Sequence, residues 1–382
     1  MKKLIIIFGT RPDTIKLAPL IKELQKEDKH FQVLTIASAQ HRQMLDQVLD
    51  VFAIKPDYDL NIMHPNQTLA SITKNSIEAM DNIIDKEKPD MVIVQGDTTT
   101  TFVGSLSAFY RQVPVGHVEA GLRTYDKYNP FPEEVNRKLT SAITELHFAP
   151  TSTSKKALLK ENIPSGSVII TGNTVIDALV YTVKKNYKFS VTILNELMAA
   201  KKKTVLITMH RRENWGEPML GAARAVKRLA EKFTGYNFIF PVHLNPVVRN
   251  VVNPVLHDLP NVYLIEPLDY LDFVNLMSKC HLILTDSGGI QEEGPHFGIP
   301  VLVLRTTTER PEAVKYGTVK LVGLNEDKIF RTASKLLNDN AAYDKMANSV
   351  NPYGDGLASK RIIQAIKNYF GISSAKIQEF NV

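Results

Sequence analysis

Cysteine is almost absent from this chain, since Cys280 is the single cysteine among 382 residues. One thiol excludes an intrachain disulfide and any zinc or iron–sulfur cage built from several cysteines. A chain that uses no disulfide fits a reducing compartment. We therefore expect the protein in the cytoplasm.

Long apolar runs are also missing. The run Leu4 to Phe8 follows two lysines and imitates the start of a signal peptide, but it ends after five residues at Gly9. Signal peptides need about 7 to 15 apolar residues, and membrane helices need about 20. We interpret the run as a buried first strand and expect no membrane partner.

No charge of one sign dominates the sequence. Lysine and arginine number 46 against 40 acidic residues, which gives a net charge of +6 without a long basic block. Nucleic-acid-binding domains concentrate their basic residues on one face. We therefore expect no nucleic-acid partner, whereas a small phosphorylated ligand needs only a few cations.

Short apolar runs alternate with helical patterns along the whole chain, which has 44% hydrophobic residues. Continuous runs of this kind are typical of parallel strands covered by helices on both faces. Strands are expected at 4–8, 33–37, 91–94, 115–118, 146–149, 168–170, 205–208, 238–242, 262–265, 282–285 and 301–304. Helices are expected at 14–26, 40–51, 69–88, 99–111, 133–144, 153–160 and 359–369.

The alternation pauses after residue 171 and restarts after a lysine-rich stretch that ends at 201–203. The sequence thus predicts an α/β protein with two Rossmann-like, doubly wound domains that face a central cleft. Their predicted bounds are 1–171 and 172–356. A last helix within 357–382 is expected to pack back on the first domain.

A Ser-Gly-Gly turn, Ser287 to Gly289, leads from a predicted strand into a helical pattern. Backbone amides at such a turn can bind an anion, and glycines let it approach closely. The turn predicts a diphosphate seat, with Glu293 placed farther along the helix for a ribose diol. A plain turn in which Ser287 caps the helix is the alternative.

Titratable side chains follow several predicted strands. Asp97 and Glu119 come at the ends of two strands in the first half, and Glu133 begins a helix. His210 and His243 follow strands in the second half. Because ligands bind at the carboxyl ends of parallel strands, we expect an active site there, although each residue alone could be a cap or an ion-pair partner.

The sequence lacks the glycine fingerprint of dinucleotide-binding folds, because Gly9 alone precedes Thr10-Arg11-Pro12 after the first strand. A nicotinamide cofactor is therefore not expected. Arg11 and Lys16 instead place two cations at a helix start, where they could hold phosphates.

Metal ligation is not expected either. The three histidines at 210, 243 and 281 lack the spacing of a metal site, and Asp57-Tyr58-Asp59 precedes a predicted loop. We therefore expect no cofactor and no metal.

Taken together, these segments resemble the non-hydrolysing UDP-N-acetylglucosamine 2-epimerases of bacteria over essentially the whole chain. The resemblance rests on residues 9–12, 40–45, 96–100, 117–123, 132–137, 172–174, 210–214, 286–293 and 308–312. It implies the GT-B architecture, a homodimer and a UDP-sugar substrate.

The activity that the resemblance implies is a reversible inversion at carbon 2 of the sugar. The carbon 2 proton is removed while UDP leaves in an anti elimination, and both are then added back to 2-acetamidoglucal with the proton on the opposite face. The product, UDP-N-acetylmannosamine, would supply cell-surface polysaccharide or teichoic acid. The resemblance assigns the acid and base roles, undivided, to Asp97, Glu119, Glu133 and His210. It assigns nucleotide binding to Arg11, Lys16, Phe273, Ser287, Gly288, Gly289, Glu293 and Arg310.

Activation by UDP-N-acetylglucosamine at a second site is also implied by the resemblance, through Gln40, Gln43 and His243. Some relatives have a basic residue where this chain has Asn66. Gln95 and Thr306 stand where histidine and aspartate are common. These departures border the site and replace no proposed acid or base.

Three other functions remain open from the residues alone. A GT-B glycosyltransferase would use the same nucleotide-sugar site, because fold does not decide chemistry. A hydrolysing 2-epimerase would release UDP and free N-acetylmannosamine. A silent UDP-sugar sensor would bind without turnover. The three carboxylates favour two-sided proton transfer over a transferase or a sensor, and they leave the hydrolysing 2-epimerase open.

Overall fold

The computed structural model describes residues 1–38, 42–62 and 67–382, with the backbone alone described at 42–44. The described chain divides into two compact units. The first unit is residues 1–181 with 353–381, and the second is residues 182–352 with Val382. None of the described helices is long and apolar enough to cross a bilayer.

The first unit contains seven parallel strands. They are β1 Lys2–Phe8, β2 Phe31–Ala37, β3 Tyr58–Asp59, β4 Met91–Gln95, β5 Val115–Val118, β6 Leu146–Ala149 and β7 Val168–Ile170. Their order in the sheet is β3-β2-β1-β4-β5-β6-β7. The helices are α1 Arg11–Gln25, α2 Arg42–Val51, α3 Leu69–Glu87, α4 Thr99–Tyr110, α5 Glu133–Ala142, α6 Ser152–Lys160, α7 Thr174–Thr182, which crosses the boundary, and the terminal α16 Ala358–Tyr369.

The second unit contains six parallel strands. They are β8 Thr204–Thr208, β9 Asn237–Pro241, β10 Val262–Ile265, β11 Leu282–Thr285, β12 Val301–Val303 and β13 Val319–Leu321. Their order is β10-β9-β8-β11-β12-β13. The helices are α8 Thr192–Ala199, α9 Glu217–Lys232, α10 Pro246–Leu256, α11 Tyr270–Met277, α12 Ile290–Glu293, α13 Pro311–Tyr316, α14 Glu326–Asn338 and α15 Asn340–Ala347.

All eleven strands expected from the sequence are present, and two short edge strands, β3 and β13, were missed. The segment at β3 was expected to precede a loop and was not predicted as a strand. It pairs with β2 through two residues and is half exposed. Edge strands of this kind lack the continuous apolar run that identifies a central strand, so the sequence pattern does not reveal them.

Each sheet reverses its strand order at one place, between β1 and β4 in the first unit and between β8 and β11 in the second. A crevice opens at the carboxyl ends of the strands on either side of such a reversal, and ligands of doubly wound folds bind there. The two pairs are in register, Leu4 opposite Met91 and Thr208 opposite Thr285. The fold thus fixes one candidate edge in each unit.

At the first of these edges, Gly9 lets the backbone after β1 pass close to the side chains of Ser38 and Thr100. A Cβ atom at Gly9 would lie 2.3 Å from Ser38 Oγ and 2.4 Å from Thr100 Oγ1. Directly after it, Thr10 and Asp13 form a capping box that starts α1. Helix α1 therefore begins against the end of β2 and the start of α4.

The unit boundaries differ from the predicted 171/172 and 356/357 because the ends of two segments pack together in the first unit. Asp177 on α7 accepts hydrogen bonds from the backbone amides of Ala358, at 3.1 Å, and Ser359, at 2.7 Å. Helix α16 in turn lies against α1, and Lys367 forms a 2.7 Å ion pair with Glu27.

Candidate active site

Asp97 lies just beyond β4, immediately before Thr98, the N-cap of α4. Its carboxylate Oδ2 accepts a hydrogen bond from Nη2 of Arg137. The Asn136 side chain donates to the Asp97 carbonyl at 3.0 Å. The carboxylate is therefore held in place by α5 while 27% of its side chain stays exposed to solvent.

Glu119 follows β5, and three side chains donate hydrogen bonds to its carboxylate. Its Oε1 accepts from Lys16 Nζ at 2.5 Å and from Asn173 Nδ2 at 2.9 Å, and its Oε2 accepts from Gln95 Nε2 at 2.5 Å. Its φ of +63° is in the left-handed region, which costs about 1 to 2 kcal/mol for a side-chain-bearing residue. Strained backbone of this kind is frequent at functional sites.

Lys16 was expected to hold or organise the nucleotide. The structure places its ammonium group against Glu119, so Lys16 contributes a positive charge to the carboxylate edge. Arg11 is the first residue of α1 and half-buried at the same end of the sheet. Contact of either cation with a phosphate stays a prediction.

The two adjacent glutamates at the start of α5 have different environments. Glu133 is half-buried, and within the described chain its carboxylate makes no hydrogen bond or ion pair. Glu134 is completely buried and accepts from the backbone amides of Thr124 and Tyr125, both at 3.0 Å. Glu134 therefore has a structural role, and Glu133 remains available for proton transfer.

Two further titratable groups lie at this edge. Asp13 is buried, and desolvation raises the pKa of its carboxyl to about 7, with a further contribution from the negative charge of Asp97. His117 is fully buried, and desolvation lowers its pKa to about 3. Its Nε2 lies 2.7 Å from the Gly96 carbonyl, so a neutral ring supports the turn that carries Asp97.

In the second unit, His210 follows β8 and pairs with Asp286, which follows β11. Nδ1 of His210 lies 3.3 Å from Oδ1 of Asp286. Burial lowers the pKa of His210, and the Asp286 charge acts in the opposite direction. Asp286 is completely buried and also accepts from Asn214 Nδ2 at 3.0 Å.

The Ser-Gly-Gly turn follows Asp286 directly. Within the described chain the backbone amides of Gly288 and Gly289 donate to no protein group. Gly289 is the N-cap of α12 without a side-chain capping bond, so the alternative in which Ser287 caps the helix is not what the structure shows. The turn presents its amides as an anion seat would.

The helix behind the turn is short. Helix α12 has four residues and continues as a 3-10 turn, Gly294–Phe297. Pro295 has no N–H to donate, which ends the α-helical hydrogen bonding there. The seat therefore depends on the amides of the turn itself.

Side chains expected to bind the nucleotide lie on elements next to this turn. A Cβ at Gly289 would be 3.4 Å from Glu293 Oε1. Arg310 pairs through Nε with the buried Glu292, which joins the 308–310 loop to α12. Phe273 is half-buried in the first turn of α11, on the helix that leads into β11.

The residues expected to bind an activator are only partly described. Gln40 and Asn66 lie outside the described residues, and the side chain of Gln43 on α2 is not described. His243 is exposed after β9, and its ring stacks on that of His210 with centroids 5.9 Å apart. The structure thus brings one predicted activator residue to one predicted catalytic residue.

Sequence reasoning missed the residues that orient the candidate acids and bases. Gln95, Asn173 and Asp286 each donate to or accept from a proposed catalytic group, and Arg137 pairs with Asp97. Their positions beside strand ends were the available signal. No group of three or more potential metal ligands occurs among the described residues.

Comparison with known proteins decides the family. A family model described as UDP-N-acetylglucosamine 2-epimerase matches residues 22–367. The chain belongs to the UDP-N-acetylglucosamine 2-epimerase family. It is 53% identical over 382 residues to the UDP-N-acetylglucosamine 2-epimerase of Bacillus subtilis, covering 100% of this chain and 99% of that protein.

Solved structures of the family confirm the fold. A putative UDP-N-acetylglucosamine 2-epimerase from Listeria monocytogenes matches with a TM-score of 0.94 and 47% identity, over 100% of this chain and 99% of that one. The enzyme from Neisseria meningitidis, solved with UDP-GlcNAc, has a TM-score of 0.85 and 53% identity, over 96% and 100% of the two chains. The predicted α/β class of GT-B type and the family resemblance are therefore confirmed.

Proposed function

We propose that this epimerase interconverts UDP-N-acetylglucosamine and UDP-N-acetylmannosamine without net hydrolysis, by elimination and re-addition of UDP. The observation that carries the proposal is the carboxylate edge of the first unit, where Asp97, Glu119 and Glu133 follow or adjoin neighbouring strand ends. Inversion at a carbon needs a base on one side of the sugar and an acid on the other. A set of several carboxylates can supply both.

The carboxylates differ in how they could move a proton. Among the described residues no group hydrogen-bonds to Oδ1 of Asp97 or to the carboxylate of Glu133. Glu119 has three donors, which keep it oriented. When carbon 2 loses its proton to a base, the carbon 1 to oxygen bond breaks and UDP takes the electron pair. In the re-addition, UDP returns to carbon 1 on the face that it left, and an acid delivers a proton to carbon 2 on the face opposite to the one that lost its proton. Each proton transfer is worth roughly 10² to 10⁴ in rate.

We assign the stabilisation of the departing UDP to the second unit. Its diphosphate gains negative charge as the bond breaks, and the amides of Gly288 and Gly289 can stabilise that charge. His210, held through Asp286 beside the same turn, can interact with the leaving phosphate or with the sugar.

Activation by UDP-N-acetylglucosamine belongs to the same proposal, through Gln40, Gln43 and His243. The stacking of His243 on His210 supports a link between activator and catalysis. We expect a sigmoidal dependence of rate on substrate concentration. A plain hyperbola, with no lag when the reaction starts from the mannose epimer alone, contradicts this part of the proposal.

The cellular setting is proposed from the resemblance. We propose a cytoplasmic homodimer that supplies N-acetylmannosamine for a cell-surface polymer. Sedimentation of the purified protein checks the dimer, and a mass of 42.8 kDa in solution would contradict it. Cell fractionation checks the location.

The decisive experiment is proton NMR of the purified protein with UDP-N-acetylglucosamine in heavy water. UDP-N-acetylmannosamine with deuterium at carbon 2, and little free UDP, is the expected result. Accumulating UDP and free sugar would identify the hydrolysing reaction. An unchanged spectrum would favour a transferase that awaits an acceptor, or a sensor.

Matched variants connect this activity to the carboxylate edge. Asp97→Asn should lower turnover by about 10² to 10⁴ while UDP still binds. Asp28→Asn is the control, because Asp28 is exposed and, within the described chain, unpaired. Full turnover in Asp97→Asn would remove Asp97 from the mechanism.

A further inference from the structure

We infer that Arg137 is a positioning residue for the reaction: it fixes Asp97 in one orientation and leaves a single carboxylate oxygen of Asp97 for proton transfer. The inference rests on the proposed function. Arg137 lies on α5, one turn after Glu133, and is 8% exposed. Its guanidinium group bridges two carboxylates of the first unit.

The geometry of the bridge is specific. Nη2 donates to Oδ2 of Asp97, and Nη1 donates to Oε2 of Glu134 at 3.1 Å. The planar guanidinium fixes the two donors relative to each other. Asp97 is thereby oriented from a helix that is 36 or more residues away in sequence, and its Oδ1 accepts no hydrogen bond from the described residues.

The far end of the bridge is anchored in the backbone. Glu134 is completely buried, and the amides of Thr124 and Tyr125 donate to its two oxygens at 3.0 Å. Those amides belong to the loop that follows β5 and Glu119. Arg137 therefore connects Asp97 to a rigid part of the carboxylate edge, which a flexible surface ion pair would not do.

The arrangement is not the one that stability alone would favour. Within the described chain, the Nε–H of Arg137 is buried without a hydrogen-bond partner. An unsatisfied buried donor costs about 1 to 3 kcal/mol. Buried unsatisfied groups in folded proteins call for an explanation, and a catalytic role is one of them. The guanidinium donates to the two carboxylates through Nη1 and Nη2, and in this position its Nε–H has no acceptor.

Asp97 also feels other charges. Asp13 on α1 interacts electrostatically with it, and Glu134 contributes a second negative charge beside Arg137. Arg137 thus contacts two carboxyl groups, and a third, that of Asp13, interacts with Asp97. Removing the arginine side chain would leave Asp97 without the donor that orients its carboxylate.

The test compares Arg137→Met and Arg137→Lys with the native protein in the heavy-water exchange assay. We expect kcat to fall about 10²-fold in Arg137→Met, because small misplacement of a reacting group has effects of that size. KM and the affinity for UDP should change less than twofold. Arg137→Lys should recover part of kcat, since it keeps the charge but not the two fixed donors.

The double variant Arg137→Met with Glu134→Gln distinguishes a purely structural role of Arg137 from a positioning role. Breaking a buried ion pair leaves an uncompensated charge, and the second change removes that charge. If Arg137 only stabilises the fold, restored thermal stability of the double variant should restore kcat. If it positions Asp97, the double variant should fold and stay slow.

The control is Arg361→Met. Arg361 forms a bidentate pair with Asp355, both contacts at 2.7 Å, and its side chain is 11% exposed compared with 10% for Arg137. We expect it to lose stability and keep kcat. If Arg137→Met keeps the native kcat while Asp97→Asn is inactive, the inference about Arg137 is overturned and the proposed function is not. Absence of exchange in the native protein would overturn the proposed function and the inference with it.

Discussion

Nδ1 of His210 lies 3.3 Å from Oδ1 of Asp286, and the same aspartate accepts from the backbone amides of His210 and Arg211 at 3.0 and 2.9 Å. An acceptor opposite Nδ1 favours the tautomer with its proton there, which leaves Nε2 as the atom that can accept a proton. Because Asp286 is also the residue before the Ser-Gly-Gly turn, it connects the imidazole to the proposed diphosphate seat.

Asp286→Asn should lower turnover by about 10-fold or more, because the amide no longer selects the tautomer or favours the imidazolium. Since the Asp286 charge raises the pKa of His210 against the effect of burial, its loss should lower that pKa further. The rate profile against pH checks this. Asp258→Asn is the control, because it changes an exposed pair with His257 at 2.9 Å. Equal loss in both variants would contradict the role.

Asp13→Asn should change how stability depends on pH. Burial raises the folded-state pKa of Asp13 from 3.8 to about 7, so the folded state favours the protonated form. The native protein therefore loses stability from this group as pH rises from 3.8 to about 7, by at most about 4 kcal/mol. The asparagine variant should match native stability near pH 4 and exceed it above pH 7. Urea unfolding at both pH values measures the difference, and a difference that does not vary with pH would contradict the assignment.

Gly288→Ala should weaken UDP binding without weakening the fold. A Cβ there would lie 3.7 Å from Arg211 Nη2, an ordinary contact, so the protein can accommodate it. A diphosphate bound at the adjacent amides would be displaced, and we expect the Kd for UDP to rise about 10-fold. Gly235→Ala, with nothing within 4 Å of the added Cβ, is the control. Unchanged UDP affinity, measured by calorimetry, would mean that the diphosphate does not bind at this turn.

Gly9→Ala should destabilise the first unit. The added Cβ would lie within 2.4 Å of the hydroxyls of Ser38 and Thr100, which hydrogen-bond to each other at 2.8 Å. Overpacking of this kind costs about 1 to 3 kcal/mol. Urea unfolding checks the loss. A free energy of unfolding equal to that of the native protein would mean that α1 can shift away from α4 without penalty.

Much of the fold could be predicted because its signals are local. The buried runs of β1, β4 and β11 are almost entirely apolar. Side chains that suit an N-cap precede three helices: Thr10 caps α1, Thr98 caps α4 and Asp269 caps α11. The helix after the Ser-Gly-Gly turn was predicted without an end, and in the structure α12 stops after four residues. Strands β3 and β13 were not predicted, because an edge strand of two or three residues is too short to show a hydrophobic pattern.

The sequence by itself determined the alternation of strands and helices, the family, and the positions of Asp97, Glu119, His210 and the Ser-Gly-Gly turn at strand ends. Each of these follows from residues close together along the chain. The tertiary structure alone decided that Lys16 pairs with Glu119, that Arg137 holds Asp97, and that Asp286 faces His210. Those pairs span 103, 40 and 76 residues. They form because the sheet order places β1 beside β4 and β8 beside β11, and no local periodicity encodes which strand ends become neighbours.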